Sequence, residues 1–135
     1  MKRYELRVRD LMSLAPVTIK DSETIAEAHA EMEIGVIRHL PVVDDQGQLV
    51  GVLSDRDILR VLASSRPRQV AEVMSRDVIT IRPEANAHEA ADLMLQHQIS
   101  SVPVVGESGA LVGIVTLTDY VEVARRALLG LPLER

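Results

Sequence analysis

Apolar residues recur along the chain in two spacings. Val17-Thr18-Ile19, Leu40-Pro41-Val42-Val43 and Leu49–Leu53 are short aliphatic runs bounded by turn residues, the pattern of buried strands. Between the first two, Ile25, Ala28 and Met32 fall at helical spacing, and Thr24-x-x-Glu27 opens that helix as a capping box. Gly35 is expected to end it. Pro41 sits near the start of its strand, where its missing N–H costs no ladder bond. Asp44-Asp45-Gln46-Gly47 reads as the turn to the hairpin partner. A helix is predicted from Ser54 to about Leu62, and Val8–Met12 forms a single helical turn ahead of the first strand.

The same order then returns. Val78–Ile81 is the early strand, and Asn86-x-x-Glu89 caps a helix carrying Ala87, Ala90, Ala91 and Met94. Glu107-Ser108-Gly109 is the turn, and the last helix runs on to Leu129, where Gly130 and Pro132 stop it. The offset is constant: Met12-Ser13 returns as Met74-Ser75, Pro41-Val42-Val43 as Pro103-Val104-Val105, and Leu49-Val50-Gly51 as Leu111-Val112-Gly113. Residues 8–62 align with 70–124 without a gap. A repeat of this length means one supersecondary unit used twice, neither copy needing to bury its apolar face alone. The expected fold is therefore α/β (α+β), two β-α-β-β-α repeats packed as one module. The expected boundaries are 7–62 and 70–129, with a short polar linker at 63–69 and a tail at 130–135.

The candidate chemistry lies where each hairpin meets the following helix. Gly51-Val52-Leu53-Ser54-Asp55-Arg56-Asp57 is matched by Gly113-Ile114-Val115-Thr116-Leu117-Thr118-Asp119. Ser54-x-x-Asp57 and Thr116-x-x-Asp119 fit a capping box, in which the carboxylate reaches back to the N-cap N–H. They also fit a nucleoside site. A carboxylate accepts two hydrogen bonds at once and can grip both hydroxyls of a ribose, while a hydroxyl and free N–H groups at a helix start can face phosphate.

Composition narrows the classes. With a hydrophobic fraction of 47% and only Tyr4 and Tyr120 aromatic, the core is aliphatic. No stretch approaches the ~18 uninterrupted apolar residues of a membrane span. The opening residues lead into charged Arg7-Val8-Arg9-Asp10 and not into an apolar signal core, so a cytoplasmic location is the default expectation. The absence of cysteine excludes disulfides and thiolate chemistry. A net charge of −5 argues against a nonspecific binder of duplex nucleic acid.

Ile37-Arg38-His39-Leu40-Pro41-Val42 and Ile99-Ser100-Ser101-Val102-Pro103-Val104, together with the two Gly-x-x-[Ser/Thr]-x-x-Asp motifs, give the chain its resemblance to a tandem pair of cystathionine-β-synthase (CBS) domains, a Bateman module. The resemblance covers roughly Arg7 to Leu128. It implies two repeats related by a pseudo-two-fold axis, with ligand clefts between them. It implies a regulatory role, sensing adenosine-containing ligands such as AMP, ADP, ATP, S-adenosylmethionine or NAD and signalling through a partner. Carried over, Asp57 and Asp119 hold ribose, and Ser54 and Thr116 are their hydroxyl partners. Thr18 and Thr80 border the cleft. Ile37, Leu40 and Pro41, with Ile99, Val102 and Pro103, line the base. Arg38, His39 and Arg56 make the first copy phosphate-friendly, where the second has Ser100, Ser101 and Thr118.

Other chemistries find less support. No Gly-x-Ser-x-Gly elbow, phosphate-binding loop or paired histidine spacing is present, so neither a catalytic centre nor a metal site is expected. The alternative is a ligand-free module that dimerises or docks on a protein. Ile58, Leu59, Val61 and Leu62, then Val121, Val123, Ala124 and Leu128, extend beyond one apolar stripe, and a two-fold homodimer is expected to cover them.

Overall fold

A computed structural model describes residues 5–63, 66 and 68–133. In chain order the elements are α1 (Val8–Leu11), β1 (Ile19–Lys20), α2 (Ile25–Gly35), β2 (His39–Val43), β3 (Leu49–Ser54), α3 (Asp55–Leu62), α4 (Val70–Val73), α5 (Ala87–His97), β4 (Ser101–Val105), β5 (Leu111–Thr116) and α6 (Leu117–Leu128). Mixed helix and strand, taken twice, is the order the repeat predicts. No helix of the described residues is long and apolar enough to cross a membrane.

The described residues form two compact units that do not coincide with the two repeats. One holds residues 17–78 with 109–111, and the other 5–16, 79–108 and 112–133. Thus α4, which leads the second repeat, packs with the first. Val70 N–H donates to Glu23 O (2.8 Å) and Ala71 N–H to Asp21 O (3.0 Å). Val70 and Met74 join a core of Ile19, Ile25, Ala28, Met32, Leu40, Val42, Leu53 and Ile58. In the other unit α1 does the same: Val8 N–H donates to Ala85 O (2.9 Å) and Arg9 N–H to Pro83 O (3.0 Å). Val8 and Leu11 fill a core with Ala90, Met94, Val102, Val104 and Val115.

In the first of these units β1 pairs parallel with β2, and β2 antiparallel with β3, in the order β1-β2-β3. In the other, β4 and β5 form the hairpin, and the early strand expected at Val78–Ile81 shrinks to a single bridge between Ile81 and Val104. Pro83 explains the loss. In the first repeat Asp21 N–H extends the ladder to Val43 O (3.0 Å), and a proline at the equivalent position has no N–H to give. Helix α2 includes Gly35, and the left-handed residue that closes it is Val36 (φ 51°), as Gln98 (φ 53°) closes α5. The closing bonds are Ile37 N–H to Met32 O (3.0 Å) and Ile99 N–H to Met94 O (3.1 Å), so the geometry is fixed by hydrogen bonds rather than by glycine.

Gly51 and Gly113 are required for a different reason. Ser75 bridges Val52, and Ser13 bridges Ile114, so a second backbone lies against each hairpin strand. A Cβ on Gly51 would stand 2.7 Å from Met74 Sδ and 2.8 Å from Ser75 O; on Gly113 it would stand 2.8 Å from both Met12 Sδ and Ser13 O. Backbone oxygens cannot step aside as a flexible side chain can. Gly51→Ala and Gly113→Ala are each expected to lose about 1–3 kcal/mol through overpacking. Chemical denaturation should show that loss, and an unchanged midpoint in either variant would contradict the close approach.

Candidate functional site

Topology gathers the first-repeat candidates at one end of a sheet. Because β1 and β2 run parallel and β3 runs back, the starts of β1 and β2 share an end with the finish of β3. Thr18 immediately precedes β1, Ile37 and Arg38 lead into β2, and Ser54 finishes β3. His39 lies opposite Ser54 in the ladder, and Asp55 N–H donates to Arg38 O (2.8 Å), tying the start of α3 to the entry of β2. Thr18 and Ile37 are half-buried, Arg38, His39 and Arg56 are exposed, and Leu40 and Pro41 are buried. Leu40 is part of the unit's core, so at most its edge can line a ligand.

Ser54 and Asp57 form the capping box. Ser54 N–H donates to Asp57 Oδ2 (3.0 Å), and Asp57 N–H donates to Ser54 Oγ (3.2 Å). Asp57 Oδ1 receives a bond from Arg60 (2.9 Å). The cap therefore uses one lone pair of Oδ2 and Arg60 one of Oδ1, and each oxygen keeps another. The Asp57 side chain remains 19% exposed, and Arg60, at 76%, is free to swing away. Capping and a diol grip are compatible in this geometry.

The second repeat repeats the arrangement with different access. Leu117 N–H donates to Ser100 O (2.9 Å), matching the Asp55–Arg38 bond. Thr116 N–H and hydroxyl both donate to Asp119 Oδ2 (2.8 and 3.3 Å). Asp119 is buried at 6% exposure, well below its counterpart. Thr80 precedes the Ile81 bridge and is exposed, as are Ser100 and Thr118. Ile99 and Ser101 are half-buried, and Val102 and Pro103 are buried. Beside Asp119, the Tyr120 hydroxyl donates to Ala87 O.

The sequence analysis passed over Arg60 and Arg68. Together with Asp57, Val61, Glu72 and Val73 they line a shallow depression of about 220 Å³. Glu72 accepts bonds from Gln69 N–H (3.2 Å) and from Arg66 (2.9 Å), and the Gln69 bond first, then Arg66, with Arg68 nearby, hold its carboxyl below the usual range against the opposing effect of burial. Arg60 could have been found from its place one turn after Asp57; Arg68 lies in the linker, just outside the aligned repeat. Among the described residues no cluster of histidine and carboxylate side chains could hold a metal ion.

Two CBS domains match the chain, over residues 8–64 and 70–126, and the chain belongs to this family. The CBS domain-containing protein YhcV of Bacillus subtilis is 42% identical over 115 residues, covering 83% of this chain and 81% of that protein. Among solved structures, CBSX2 in complex with AMP superposes with a TM-score of 0.81 at 28% identity, covering 90% of this chain and 98% of the other. The CBS domain pair of protein MJ0100, in complex with 5′-methylthioadenosine and S-adenosyl-L-methionine, gives a TM-score of 0.77 at 35% identity, covering 94% and 98%. Several curated relatives are larger enzymes, such as an L-aspartate semialdehyde sulfurtransferase of Methanocaldococcus jannaschii, of which the chain spans 23%; the matching part of this chain is the CBS pair.

The Tyr120 environment gives this site a spectroscopic handle. Burial, and secondarily the Asp119 charge, push the phenol up to about 12 from the ordinary 10. A group whose folded pKa is raised stabilises the fold below its unfolded pKa and loses that contribution as pH rises through the folded value. In a Tyr4→Phe background, ultraviolet titration should place tyrosinate formation near pH 12, with stability falling between about pH 10 and 12. Ionisation near 10 in the folded protein would contradict the burial.

Proposed function

We propose that the chain is a regulatory module that senses an adenosine-containing ligand, drawn from AMP, ADP, ATP, S-adenosylmethionine or NAD, and passes its state to a protein partner. The observation that carries this reading is the convergence of Thr18, Ile37–His39 and Ser54–Asp57 at one sheet end. Aliphatic, hydroxyl, carboxylate and basic groups meet there in the combination an adenine nucleotide requires. Asp57 and Asp119 grip ribose, with Ser54 and Thr116 beside them. Arg38, His39 and Arg56 face phosphate, and Ile37 borders the base at the first-repeat site, as Ile99 does at the second. The bound AMP of CBSX2 and the adenosyl ligands of MJ0100 support the ligand class. Asp57, the more accessible carboxylate, forms the stronger clamp.

The second reading, a ligand-free dimerisation or docking module, is favoured by the carboxylates' structural employment as caps and by exposed Leu59, Val121 and Leu128. Dimerisation belongs to both readings: these side chains are apolar surface that a second copy would cover.

Calorimetry on the full chain, its oligomeric mass measured by light scattering, separates the readings. AMP binding should weaken by about ten- to a hundredfold in Asp57→Ala, the loss expected for hydrogen bonds to a charged group. The effect of Asp119→Ala should be confined to a second class of sites. Arg38→Ala should weaken AMP far more than adenosine, because it removes a guanidinium fork suited to phosphate. A parent chain that binds none of the five ligands at millimolar concentration would leave the docking module.

A further inference from the structure

We propose that the open cleft between α5 and α6 binds a free α-amino acid with an apolar side chain, at a site separate from the sheet-end carboxylates. The cleft has a volume of about 810 Å³ and lies within the unit of residues 5–16, 79–108 and 112–133. Small-molecule sites commonly span about 300–1,000 Å³. Leu6, Leu11, Ala91 and Val123 give it aliphatic walls, and the half-buried Tyr120 adds its ring. The matching surface of the other unit is built differently. The constant offset sets Ala87 against Ile25, Tyr120 against Ile58 and Ala91 against His29. Ile25 and Ile58 are both buried in their unit's core. Where they would stand, the Tyr120 hydroxyl donates to Ala87 O. At Ala91 a methyl group takes the place of an imidazole, and α5 leaves room beside α6. Tyr120 and Val123 share one flank of α6, off the Val121–Leu128 stripe that a second copy would cover.

Charge at the rim sets the class of ligand. Glu5 and Arg7 both line the cleft and are exposed, with the buried Leu6 between them. Arg7 Nη1 donates to Glu84 O (2.7 Å), which positions the guanidinium without neutralising it. Neither Glu5 nor the Arg7 side chain forms an ion pair among the described residues. His88, also at the rim, is already paired with Asp92 (3.1 Å). The cleft therefore offers one uncompensated cation, one uncompensated anion and aliphatic walls. A free α-amino acid carries the complement. Its carboxylate suits the Arg7 fork, its ammonium suits Glu5, and its apolar side chain fills the space beside Ala91. A ligand with only a negative charge would meet the Glu5 carboxylate, and one with only a positive charge would meet Arg7. None of these residues belongs to the proposed adenosine sites, so binding here stands independently of that function.

The test uses the full chain in a Tyr4→Phe background, which leaves Tyr120 as the one tyrosine. It is titrated with L-leucine, with 4-methylpentanoate, which lacks the ammonium, and with 3-methylbutylamine, which lacks the carboxylate. Leucine should change the Tyr120 emission and raise the melting temperature. Each analogue should bind about tenfold or more weakly, having lost one charged partner. Arg7→Gln should remove leucine's advantage over 3-methylbutylamine, and Glu5→Gln its advantage over 4-methylpentanoate. Ala91→Leu fills the cleft at a place where the other unit accepts a histidine. It should fold as the parent does and lose leucine binding. A parent that does not respond to leucine at millimolar concentration overturns the site, as does parent-like leucine binding in Ala91→Leu or equal binding of leucine and both analogues. If Ala91→Leu does not fold, the two exposed rim variants decide, and parent-like selectivity in both overturns the site.

Discussion

The carboxylate at the third position of each hairpin-following helix is the contact on which the site depends. Asp57 bonds the N–H of Ser54, the residue at which β3 ends and α3 begins, and Asp119 does the same for Thr116. That bond sets the angle at which the helix leaves the strand, satisfies an orphan donor, and fixes the carboxylate at the sheet end. A side chain already ordered by capping loses little further freedom when it grips a ligand, which is the advantage of preorganisation. In the proposed function, capping and ligand grip would share one carboxylate, since the cap leaves lone pairs on it.

Divergence between the copies falls on charge and access while the fold-bearing positions stay the same. Gly51 and Gly113 admit a second backbone, and Val42 and Val104 stay fully buried. Around that frame Arg38-His39 stands against Ser100-Ser101, Arg60 against Glu122, and Arg68 against Leu6. Asp57 is partly open while Asp119 is buried beside a tyrosine. A duplicated unit under one folding constraint has room to specialise only where side chains do not fill the core.

Much of this was readable in the chain. The hairpins and the capped helices followed from an ungapped repeat, since aliphatic periodicity and capping boxes are local signals; the family followed from the resemblance carried by Ile37–Val42, Ile99–Val104 and the two Gly-x-x-[Ser/Thr]-x-x-Asp motifs. The Ser54–Asp57 and Thr116–Asp119 pairs were visible as motifs, and the structure holds both as caps. What escaped the sequence was non-local or depended on a single missing donor. Nothing in the repeat says that α4 packs with the first copy and α1 with the second, because alignment reports similarity and not proximity. The loss of the early strand in the second copy turns on Pro83 in place of Asp21, a one-residue difference that aliphatic periodicity hides. Gly35 is the last residue of α2, as expected, but the left-handed residue that closes the helix is Val36, a conformation no local signal in the chain announces. Arg68 was passed over because it lies in the linker, although extending the register by two residues sets it against Leu6.

The most direct test of the shared-carboxylate account is an amide chemical-shift titration of the full chain with AMP. The Ser54 N–H bonds the Asp57 carboxylate itself, and Asp55 N–H bonds Arg38 O. The account expects the largest shifts at Ser54, Asp55 and Asp57, with smaller ones at Thr18, Arg38 and His39, while distant amides such as Ile34 stay still. Saturating AMP that leaves the Ser54 and Asp57 amides unmoved, or that shifts a different surface instead, would contradict it.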